Sequence, residues 1–287
     1  MYTSDWLSSS QTDLRESGID SARLDALILL EDETGKDRGW LLANPEYELS
    51  SDQTDHLANL LSRRAKHEPM AYIRGKSEFY GQTFLVNKDV LVPRPESESI
   101  IELLLEIYPE IVSYVTNSSK PGSTPRAIKI ADVGCGSGAL GISAKLQLPD
   151  NPKVEVDLID IDERARETAK MNVDLFTLSI PVIESDLLSN TSRDYDVLLC
   201  NLPYVPDEHD VNKAAHHEPK IALYSGISGL NHYRALCNQI SQLPKRPLYL
   251  LIEALPSQHE EIKQLAAKCG YELQKTSGLV LLFAQPK

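Results

Sequence analysis

Apolar residues in the first quarter of the chain recur at intervals of three and four positions. Leu24, Leu27 and Ile28 form one such set, and Leu57 and Leu60 belong to another, with arginine and aspartate residues between them. This spacing brings the apolar side chains onto one face of a helix. We therefore predict that residues 1–75 form a small helical domain.

Residues 76–95 follow a different pattern. Apolar, aromatic and β-branched residues fill positions 78–86 and 90–92, and the Asn-Lys-Asp sequence at positions 87–89 between them is typical of a turn. The sequence predicts a β-hairpin that turns at 87–89 and ends at Pro93. We interpret this hairpin as the link between the helical domain and the rest of the chain.

The remaining two thirds of the chain alternate between strand-like and helical patterns. Apolar runs that predict strands lie at 128–133, 154–159, 181–184, 195–200 and 248–252, and helical patterns lie at 97–107, 139–148, 163–175, 232–240 and 257–268. This alternation predicts a parallel sheet covered by helices on both faces, as in α/β proteins. Only residues 276–279, which include Thr276-Ser277-Gly278, lie between the last two runs, 271–275 and 280–284. A connection this short requires the two strands to pair antiparallel. We assign residues 96–287 to one domain, with a polar surface loop at 116–125.

The composition is that of an acidic globular protein. The chain has 287 residues and a net charge of −13, and no stretch approaches the roughly 20 apolar residues of a membrane helix. The first residues, which include Asp5 and Asp13, resemble neither a secretory signal nor an arginine-rich transit peptide. We expect a cytoplasmic protein without a membrane partner. The negative charge argues against nucleic acid as a partner, because Lys and Arg normally neutralise the phosphates.

The cysteines and histidines are scattered. No Cys-x-x-Cys pair occurs, and the seven histidines are not clustered. We therefore expect no metal site and no disulfide, with the four thiols buried as small apolar groups. These are Cys135, Cys200, Cys237 and Cys269.

A glycine-rich segment joins the first strand and the first helix of the predicted α/β domain. It reads Asp132-Val133-Gly134-Cys135-Gly136-Ser137-Gly138. Glycines here let the backbone approach a ligand closely, and the start of the helix offers N–H groups to it. The same residues also satisfy a relaxed dinucleotide-binding fingerprint. Asp160, at the end of the second strand, suits a ribose diol under both interpretations, so both stay open at this point.

The fourth predicted strand delivers Asn201-Leu202-Pro203-Tyr204 to the same edge of the sheet. The lone pair of an amide or aromatic amine nitrogen is delocalised, so the nitrogen is a poor nucleophile. Two acceptors that hold its N–H bonds aim the lone pair and stabilise the positive charge that grows on nitrogen. The Asn201 side-chain carbonyl and the Leu202 backbone carbonyl are two such acceptors. Pro203 fixes the turn, and Tyr204 offers a flat wall to a planar group.

Asp132 and the Gly-x-Gly-x-Gly spacing resemble the first motif of class I S-adenosylmethionine-dependent methyltransferases. The resemblance implies a Rossmann-like, seven-stranded sheet with an antiparallel last strand, and S-adenosyl-L-methionine as the cofactor. It also implies that Asp186 and Leu187, after the third strand, hold the adenine. The implied cofactor-binding residues are Asp132, Gly134, Cys135, Gly136, Ser137, Gly138, Asp160, Asp186, Leu187 and Asn201.

Further motifs along the whole chain resemble the HemK/PrmC family, the N5-glutamine methyltransferases of peptide chain release factors. The motifs are Glu78-Phe79-Tyr80-Gly81, the Pro93-Arg94-Pro95-Glu96-Ser97-Glu98 segment, Glu218-Pro219, Gly226-x-x-Gly229-Leu230, and Ile252-Glu253 with Gln258. The resemblance implies that residues 1–75 recognise a release factor, and that the glutamine of its Gly-Gly-Gln motif enters the pocket. Asn201, Leu202, Pro203 and Tyr204 are then the catalytic and substrate-binding residues. We expect a monomer.

The chain departs from the family pattern at a few positions. Leu202 stands where proline is usual and Ser97 where threonine is usual, and the C-terminal hairpin is reduced to Thr276-Ser277-Gly278 and Leu279. Asn-Leu-Pro-Tyr also occurs in ribosomal RNA adenine dimethyltransferases, so the alternative is an N6-adenine methyltransferase acting on rRNA or DNA. The N-terminal domain and the acidic charge favour glutamine. For Arg94 and Glu96, two roles stay open: ion pairing across the domain junction, or contact with the substrate.

Overall fold

A computed structural model describes residues 1–119, 123–191 and 194–286. These residues form two compact units. The first contains Met1–Gly75 and Val211–His217, and the second contains Lys76–Asp210 and Glu218–Lys287. We call them the helical unit and the α/β unit.

The helical unit consists of five helices before residue 76. They are α1 (Thr3–Glu16), α2 (Ala22–Thr34), α3 (Arg38–Ala43), α4 (Ser51–Ala65) and α5 (Met70–Arg74). Trp6, Leu30 and Leu57 are buried in its core. Of the periodic apolar residues, Leu27 and Leu57 are buried, whereas Leu24 is 47% exposed and does not belong to the buried face. Ser50 starts α4 with a capping box, in which its hydroxyl accepts a hydrogen bond from the Gln53 N–H.

The hairpin lies at the start of the α/β unit, but its predicted turn is wrong. Strands β1 (Lys76–Phe79) and β2 (Gln82–Leu85) pair with Phe79 opposite Gln82, and residues 90–92 form no strand. The turn is Tyr80-Gly81, and both residues have positive φ, 48° and 71°. A two-residue hairpin turn needs such angles. Tyrosine rarely adopts them, and for this reason the sequence pattern placed Tyr80 inside a strand.

A seven-stranded sheet forms the centre of the α/β unit, as predicted. Its strands are β3 (Ile128–Val133), β4 (Val154–Asp160), β5 (Val182–Glu184), β6 (Val197–Cys200), β7 (Tyr249–Glu253), β8 (Glu272–Ser277) and β9 (Val280–Ala284). Their order across the sheet is β5-β4-β3-β6-β7-β9-β8. The first five strands pair in parallel, whereas β9 is antiparallel to both of its neighbours.

The α/β unit also contains helices, most of which bury apolar side chains of the sheet. They are α6 (Glu98–Asn117), α7 (Ala139–Gln147), α8 (Glu163–Leu175), α9 (Lys220–Leu223), α10 (Asn231–Gln242) and α11 (His259–Lys268). One apolar cluster joins α6, α7 and α8 to the sheet, and a second joins α10 and α11 to it. Helix α6 is longer than predicted because its apolar face continues through Ile111 and Val115, both fully buried. The predicted loop at 116–125 includes residues 120–122, which lie outside the described residues.

Candidate active site

A cavity of about 380 Å³ opens where β3, β4, β5 and β6 end. It brings together most of the residues singled out in the sequence. Those in its wall are Gly134, Cys135, Gly136, Ser137, Asp160, Asp186, Leu187, Asn201, Leu202 and Pro203. Asp132, Gly138 and Tyr204 are adjacent in sequence to this wall but do not line the cavity. Ligands of parallel α/β sheets bind at this edge.

The glycine segment wraps around the end of β4. The N–H groups of Gly134 and Cys135 both donate to the Ile159 carbonyl, at 2.8 and 2.9 Å. Gly134 has φ +72°, and a Cβ atom there would lie 2.8 Å from Cδ2 of Leu202. Asn172 supports the segment from α8, donating from Nδ2 to the Ser137 carbonyl at 2.9 Å. The positive φ therefore favours glycine at position 134, and a larger residue there would also force the Leu202 side chain to shift.

Asp132 lies beneath this segment. Its side chain is 1% exposed, and Oδ2 accepts a hydrogen bond from the Gly141 N–H at 2.8 Å. No described group donates to the other oxygen, Oδ1. Burial raises the pKa of the Asp132 carboxyl to about 7, and the hydrogen bond from Gly141 only partly opposes this. The charge of Asp132 is therefore sensitive to conditions near neutral pH.

Asp160 forms part of the cavity wall at the end of β4. Oδ2 accepts from the Gly136 N–H and Oδ1 from the Asp162 N–H, both at 2.9 Å. Burial raises the pKa of Asp160, and these two hydrogen bonds act in the opposite direction. Each oxygen keeps a second lone pair, so a carboxylate held in this way can still accept from a ligand.

Asp186 and Leu187 share their end of the cavity with His232, which the sequence analysis did not single out. Nδ1 of His232 lies 2.6 Å from Oγ of Ser225, and burial lowers the pKa of the imidazole. His232 is therefore neutral at pH 7 and adds a polar group to this end. A histidine at the start of a helix gives no sequence signal that distinguishes it from a surface residue.

Hydrogen bonds fix three residues of the Asn201-Leu202-Pro203-Tyr204 segment: Asn201, Leu202 and Tyr204. Nδ2 of Asn201 donates to Oγ of Ser97 at 2.9 Å, and the Leu202 N–H donates to the Tyr233 hydroxyl at 3.2 Å. The Tyr204 hydroxyl donates to Oε1 of Glu253 at 3.0 Å. Tyr204 does not line the cavity, so its predicted contact with a planar substrate group stays a prediction. Pro203 forms the wall beside Asn201 and Leu202.

A second loop supports this segment from behind. Nε2 of Gln258 donates to the carbonyls of Tyr204 and Ser228, at 2.7 and 2.9 Å. Gly229 packs so closely that a Cβ atom there would lie 2.1 Å from the Tyr204 carbonyl oxygen. Gly229 therefore has a packing role beside the Asn201-Leu202-Pro203-Tyr204 segment.

Arg94 forms an ion pair inside the α/β unit. Its Nη2 lies 2.5 Å from Oε1 of Glu218, whose carboxylate is buried. Burial raises the pKa of Glu218, and the charge of Arg94 opposes this rise. Two of the sequence motifs, at 93–98 and 218–219, are thus joined by one charge-assisted hydrogen bond. Arg94 thus pairs within the α/β unit and not across the domain junction, and a contact of Arg94 with substrate stays a prediction.

Known protein families match both parts of this chain. Residues 5–75 match the PrmC N-terminal domain family, and residues 120–219 match the Methyltransferase small domain family. The release factor glutamine methyltransferase of Coxiella burnetii is 31% identical over 258 residues, which are 87% of this chain and 84% of that protein. The chain belongs to the release factor glutamine methyltransferase family. The resemblance to HemK/PrmC proteins is confirmed, and so is the methyltransferase fold of this family member.

Other similar proteins differ in length or in sequence. The bifunctional methyltransferase of Rickettsia bellii is 30% identical over 276 residues, which are 90% of this chain and 49% of that protein. This family member therefore spans about half the length of such relatives. The solved catalytic domain of hMettl16, in complex with MAT2A 3′UTR hairpin 6, superposes with a TM-score of 0.51 at 14% identity. The superposition covers 87% of this chain and 92% of that chain, and it concerns the fold alone.

None of the helices within residues 1–119, 123–191 and 194–286 combines the length and apolar character that crossing a membrane requires. In the same part of the chain, no group of three or more His, Cys, Asp or Glu side chains is placed to hold a metal ion.

Proposed function

We propose that this protein transfers a methyl group from S-adenosyl-L-methionine to the side-chain amide nitrogen of the glutamine in the Gly-Gly-Gln motif of peptide chain release factors. The observation that carries this proposal is the position of Asn201 and Leu202 in the wall of the same cavity as the glycine segment. Family membership supports the choice of glutamine as the methyl acceptor.

The cavity has the features that this cofactor requires. Its volume of about 380 Å³ lies within the range of small-molecule sites. The glycine segment brings backbone close to the ligand, and the Asp160 carboxylate is placed to accept from the ribose diol. Asp186 and Leu187 then border the adenine. When bound, the cofactor supplies an electrophilic methyl group on a positively charged sulfur.

Two acceptors of this chain hold the substrate nitrogen. Because Nδ2 of Asn201 donates to Ser97, its carbonyl oxygen is left to accept one N–H of the glutamine amide. The Leu202 carbonyl accepts the other, and its backbone is fixed by the hydrogen bond from its own N–H to Tyr233. With the cofactor bound, the two acceptors would aim the nitrogen lone pair at the methyl group as this group leaves the sulfur. They would stabilise the positive charge on nitrogen until the amide proton is lost to solvent. The products are the methylated glutamine and S-adenosyl-L-homocysteine.

The position after asparagine acts through its backbone carbonyl. Leucine provides this group as well as proline does, so the departure at Leu202 is compatible with the mechanism. The Leu202 side chain has a separate role, because it is 2% exposed and packs against the glycine segment. The residue thus couples the cofactor side of the cavity to the substrate side.

The decisive experiment offers cofactor with a labelled methyl group to a release factor and to ribosomal RNA in separate reactions. We expect label in the release factor at the glutamine of Gly-Gly-Gln. Label in RNA alone would overturn the proposal in favour of an adenine methyltransferase.

Asn201→Ala tests the mechanism within the same assay. It should retain cofactor affinity and lower kcat by roughly 100-fold or more, the usual size for removing one oriented polar group from a reaction centre. Asn117→Ala is the matched control, because Asn117 also donates from Nδ2 to a serine hydroxyl, Ser113, but on the exposed surface of α6. Turnover by Asn201→Ala at the level of this control would exclude the assigned role.

A further inference from the structure

We propose that His232 is a cofactor-binding residue, which donates a hydrogen bond from Nε2 to one of the two adenine ring nitrogens beside the amino group, N1 or N7. This inference rests on the proposed function, because it assumes that the cofactor occupies the cavity with its adenine beside Asp186 and Leu187. It adds to that function a residue of α10 that lies outside the motifs singled out in the sequence.

One face of α10 borders the adenine end of the cavity. Gln239 holds the backbone there, because its Nε2 donates to the Asp186 carbonyl at 3.2 Å and its Oε1 accepts from the Leu188 N–H at 2.7 Å. His232 lies seven residues earlier in the same helix, so the two side chains project from the same face, two turns apart. His232 lines the cavity together with Asp186 and Leu187. The imidazole and the segment assigned to adenine are therefore held by one rigid element.

Ser225 holds the His232 ring from the loop before α10. The residue is 2% exposed, and its Oγ lies 2.6 Å from Nδ1 of His232. The backbone of Ser225 is itself fixed on both sides, since its N–H donates to the Val205 carbonyl at 3.0 Å and its carbonyl accepts from the Asn231 N–H at 3.2 Å. The position of the imidazole is therefore set before a ligand binds.

The hydrogen bonds of Ser225 decide which ring nitrogen of His232 carries the hydrogen. The backbone N–H of His232 donates to Oγ of Ser225 at 3.1 Å, and a hydroxyl has only one hydrogen of its own to donate. Among the residues that the structure describes, Nδ1 of His232 is the one acceptor that this hydroxyl contacts. If Nδ1 carried a hydrogen, the Ser225 hydroxyl hydrogen would be buried without an acceptor, which is costly. Nδ1 therefore accepts, and Nε2 carries the ring hydrogen.

The Nε2–H group of His232 is available to a ligand. In the described part of the chain, the hydrogen bonds of His232 involve only its backbone and Nδ1. The amino group of adenine donates hydrogen bonds, and the ring nitrogens beside it accept them. Asp186 is assigned to the amino group, so a donor next to Asp186 meets N1 or N7. An acceptor and a donor side by side thus match this edge of the base.

Calorimetry with S-adenosyl-L-homocysteine measures the contribution of His232 to cofactor binding. His232→Phe keeps a planar ring but has no donor, and we expect its dissociation constant to rise about 3- to 10-fold, the value of one neutral hydrogen bond. His232→Gln places an amide N–H near the position of Nε2 and should recover most of the affinity.

His259→Phe is the matched control. His259 is also a half-buried histidine at the start of a helix, α11. Its Nε2, however, lies 3.1 Å from the Ala254 carbonyl oxygen, and the residue does not line the cavity. The dissociation constant of this variant should match that of the wild-type protein.

Cofactor analogues then identify the acceptor. In each analogue of S-adenosyl-L-homocysteine, one adenine nitrogen, N1, N3 or N7, is replaced by a C–H group. Wild type should bind the analogue that lacks the acceptor about 3- to 10-fold more weakly than the parent compound, whereas His232→Phe should bind the two equally. We expect this coupling at N1 or N7. N3 lies on the far side of the ring from the amino group, so its replacement should affect both proteins equally.

Three outcomes would overturn the proposal: an unchanged dissociation constant in His232→Phe, an equal rise in His259→Phe, or coupling at N3 or at none of the three nitrogens. Failure of the proposed function is distinguishable, because in that case the wild-type protein itself binds no S-adenosyl-L-homocysteine or methylates no release factor.

Discussion

The buried carboxyl of Asp132 makes the stability of the cofactor-free protein depend on pH in an uncommon direction. Its pKa in the folded protein is about 7, because burial penalises the charged form, whereas an aspartate in an unfolded chain titrates near 4. Between these two values the folded state binds more protons than the unfolded state. The free energy of unfolding therefore falls as the pH rises from about 4 to about 7, and the stability is fully present only below this window.

The size of the effect follows from the two pKa values. One pKa unit corresponds to about 1.4 kcal/mol, so titration of Asp132 alone should lower the free energy of unfolding by roughly 3 kcal/mol between pH 5 and pH 8. Asp132→Asn cannot ionise and lacks this dependence. Relative to wild type, the variant should become more stable by that amount over the same interval, whatever its stability at pH 5.

Urea unfolding at pH 5 and pH 8, without cofactor, measures this difference. Far-ultraviolet circular dichroism is the appropriate signal, because both tryptophans, Trp6 and Trp40, belong to the helical unit and their fluorescence reports on that unit. Parallel pH dependences of wild type and Asp132→Asn would refute the reasoning, since they would mean that the carboxyl is already ionised at pH 5.

Asp196→Asn is the matched control. Asp196 is also fully buried, and burial acts to raise its pKa. Hydrogen bonds from Arg126 at 2.7 Å and from the Lys129 N–H at 3.0 Å outweigh burial and hold the pKa of Asp196 below its ordinary value. The ionised Asp196 carboxylate therefore stabilises the folded protein at every pH above the ordinary pKa of aspartate. This stabilisation is lost only as the pH falls well below 5. Asp196→Asn should therefore destabilise the protein equally at pH 5 and pH 8.

Two further predictions concern the cofactor side of the cavity. Asp160→Ala should weaken binding of S-adenosyl-L-homocysteine by about 10- to 100-fold, the value of one or two charge-assisted hydrogen bonds. It should affect kcat at saturating cofactor much less. An unchanged dissociation constant in calorimetry would contradict the assignment of Asp160 to the ribose. Gly134→Ala should lower both melting temperature and kcat, because its Cβ would meet Leu202 at 2.8 Å, at a cost of about 1–3 kcal/mol beyond backbone strain. Gly278 also has a positive φ, +57°, but lies in open space. An equal loss in Gly278→Ala would reduce the effect at Gly134 to backbone strain alone.

The fold was predictable wherever periodicity and burial agree. The strands at 128–133 and 280–284 and the helix at 163–175 lie at the predicted positions, because their apolar residues face a core on both sides of the sheet or on one side of a helix. The hairpin turn failed at Tyr80, where a residue type typical of strands adopts a left-handed conformation. Only tertiary contacts explain it, among them the hydrogen bond from the Tyr80 N–H to Oε1 of Glu98 at 2.8 Å.

The candidate site was predictable where it follows the ends of strands. Asn201 and Asp160 each come directly after, or at the end of, an apolar run, and strand ends meet at one edge of a parallel sheet. Ser97, Tyr233 and Glu253 have no such relation to the motif. Ser97 is 104 residues from Asn201 in sequence, and its role depends on a contact that only the packing of α6 against the sheet creates. The sequence showed that the segments around Ser97 and Glu253 resemble a family but gave no physical reason for them, and it did not single out Tyr233 at all.

The order of the strands also determines what the two edges of the sheet offer to other chains. At one edge β5 has only three residues, and at the other β8 carries exposed Glu272, Gln274 and Lys275 and is irregular between Leu273 and Lys275. Aggregation through sheets requires a long, regular, apolar strand with unpaired backbone groups. The most apolar of the C-terminal strands, β9, is enclosed between β7 and β8. The apolar strand β9 is therefore kept away from both edges of the sheet. Neither edge strand, β5 or β8, is suited to pairing with a strand of a second molecule.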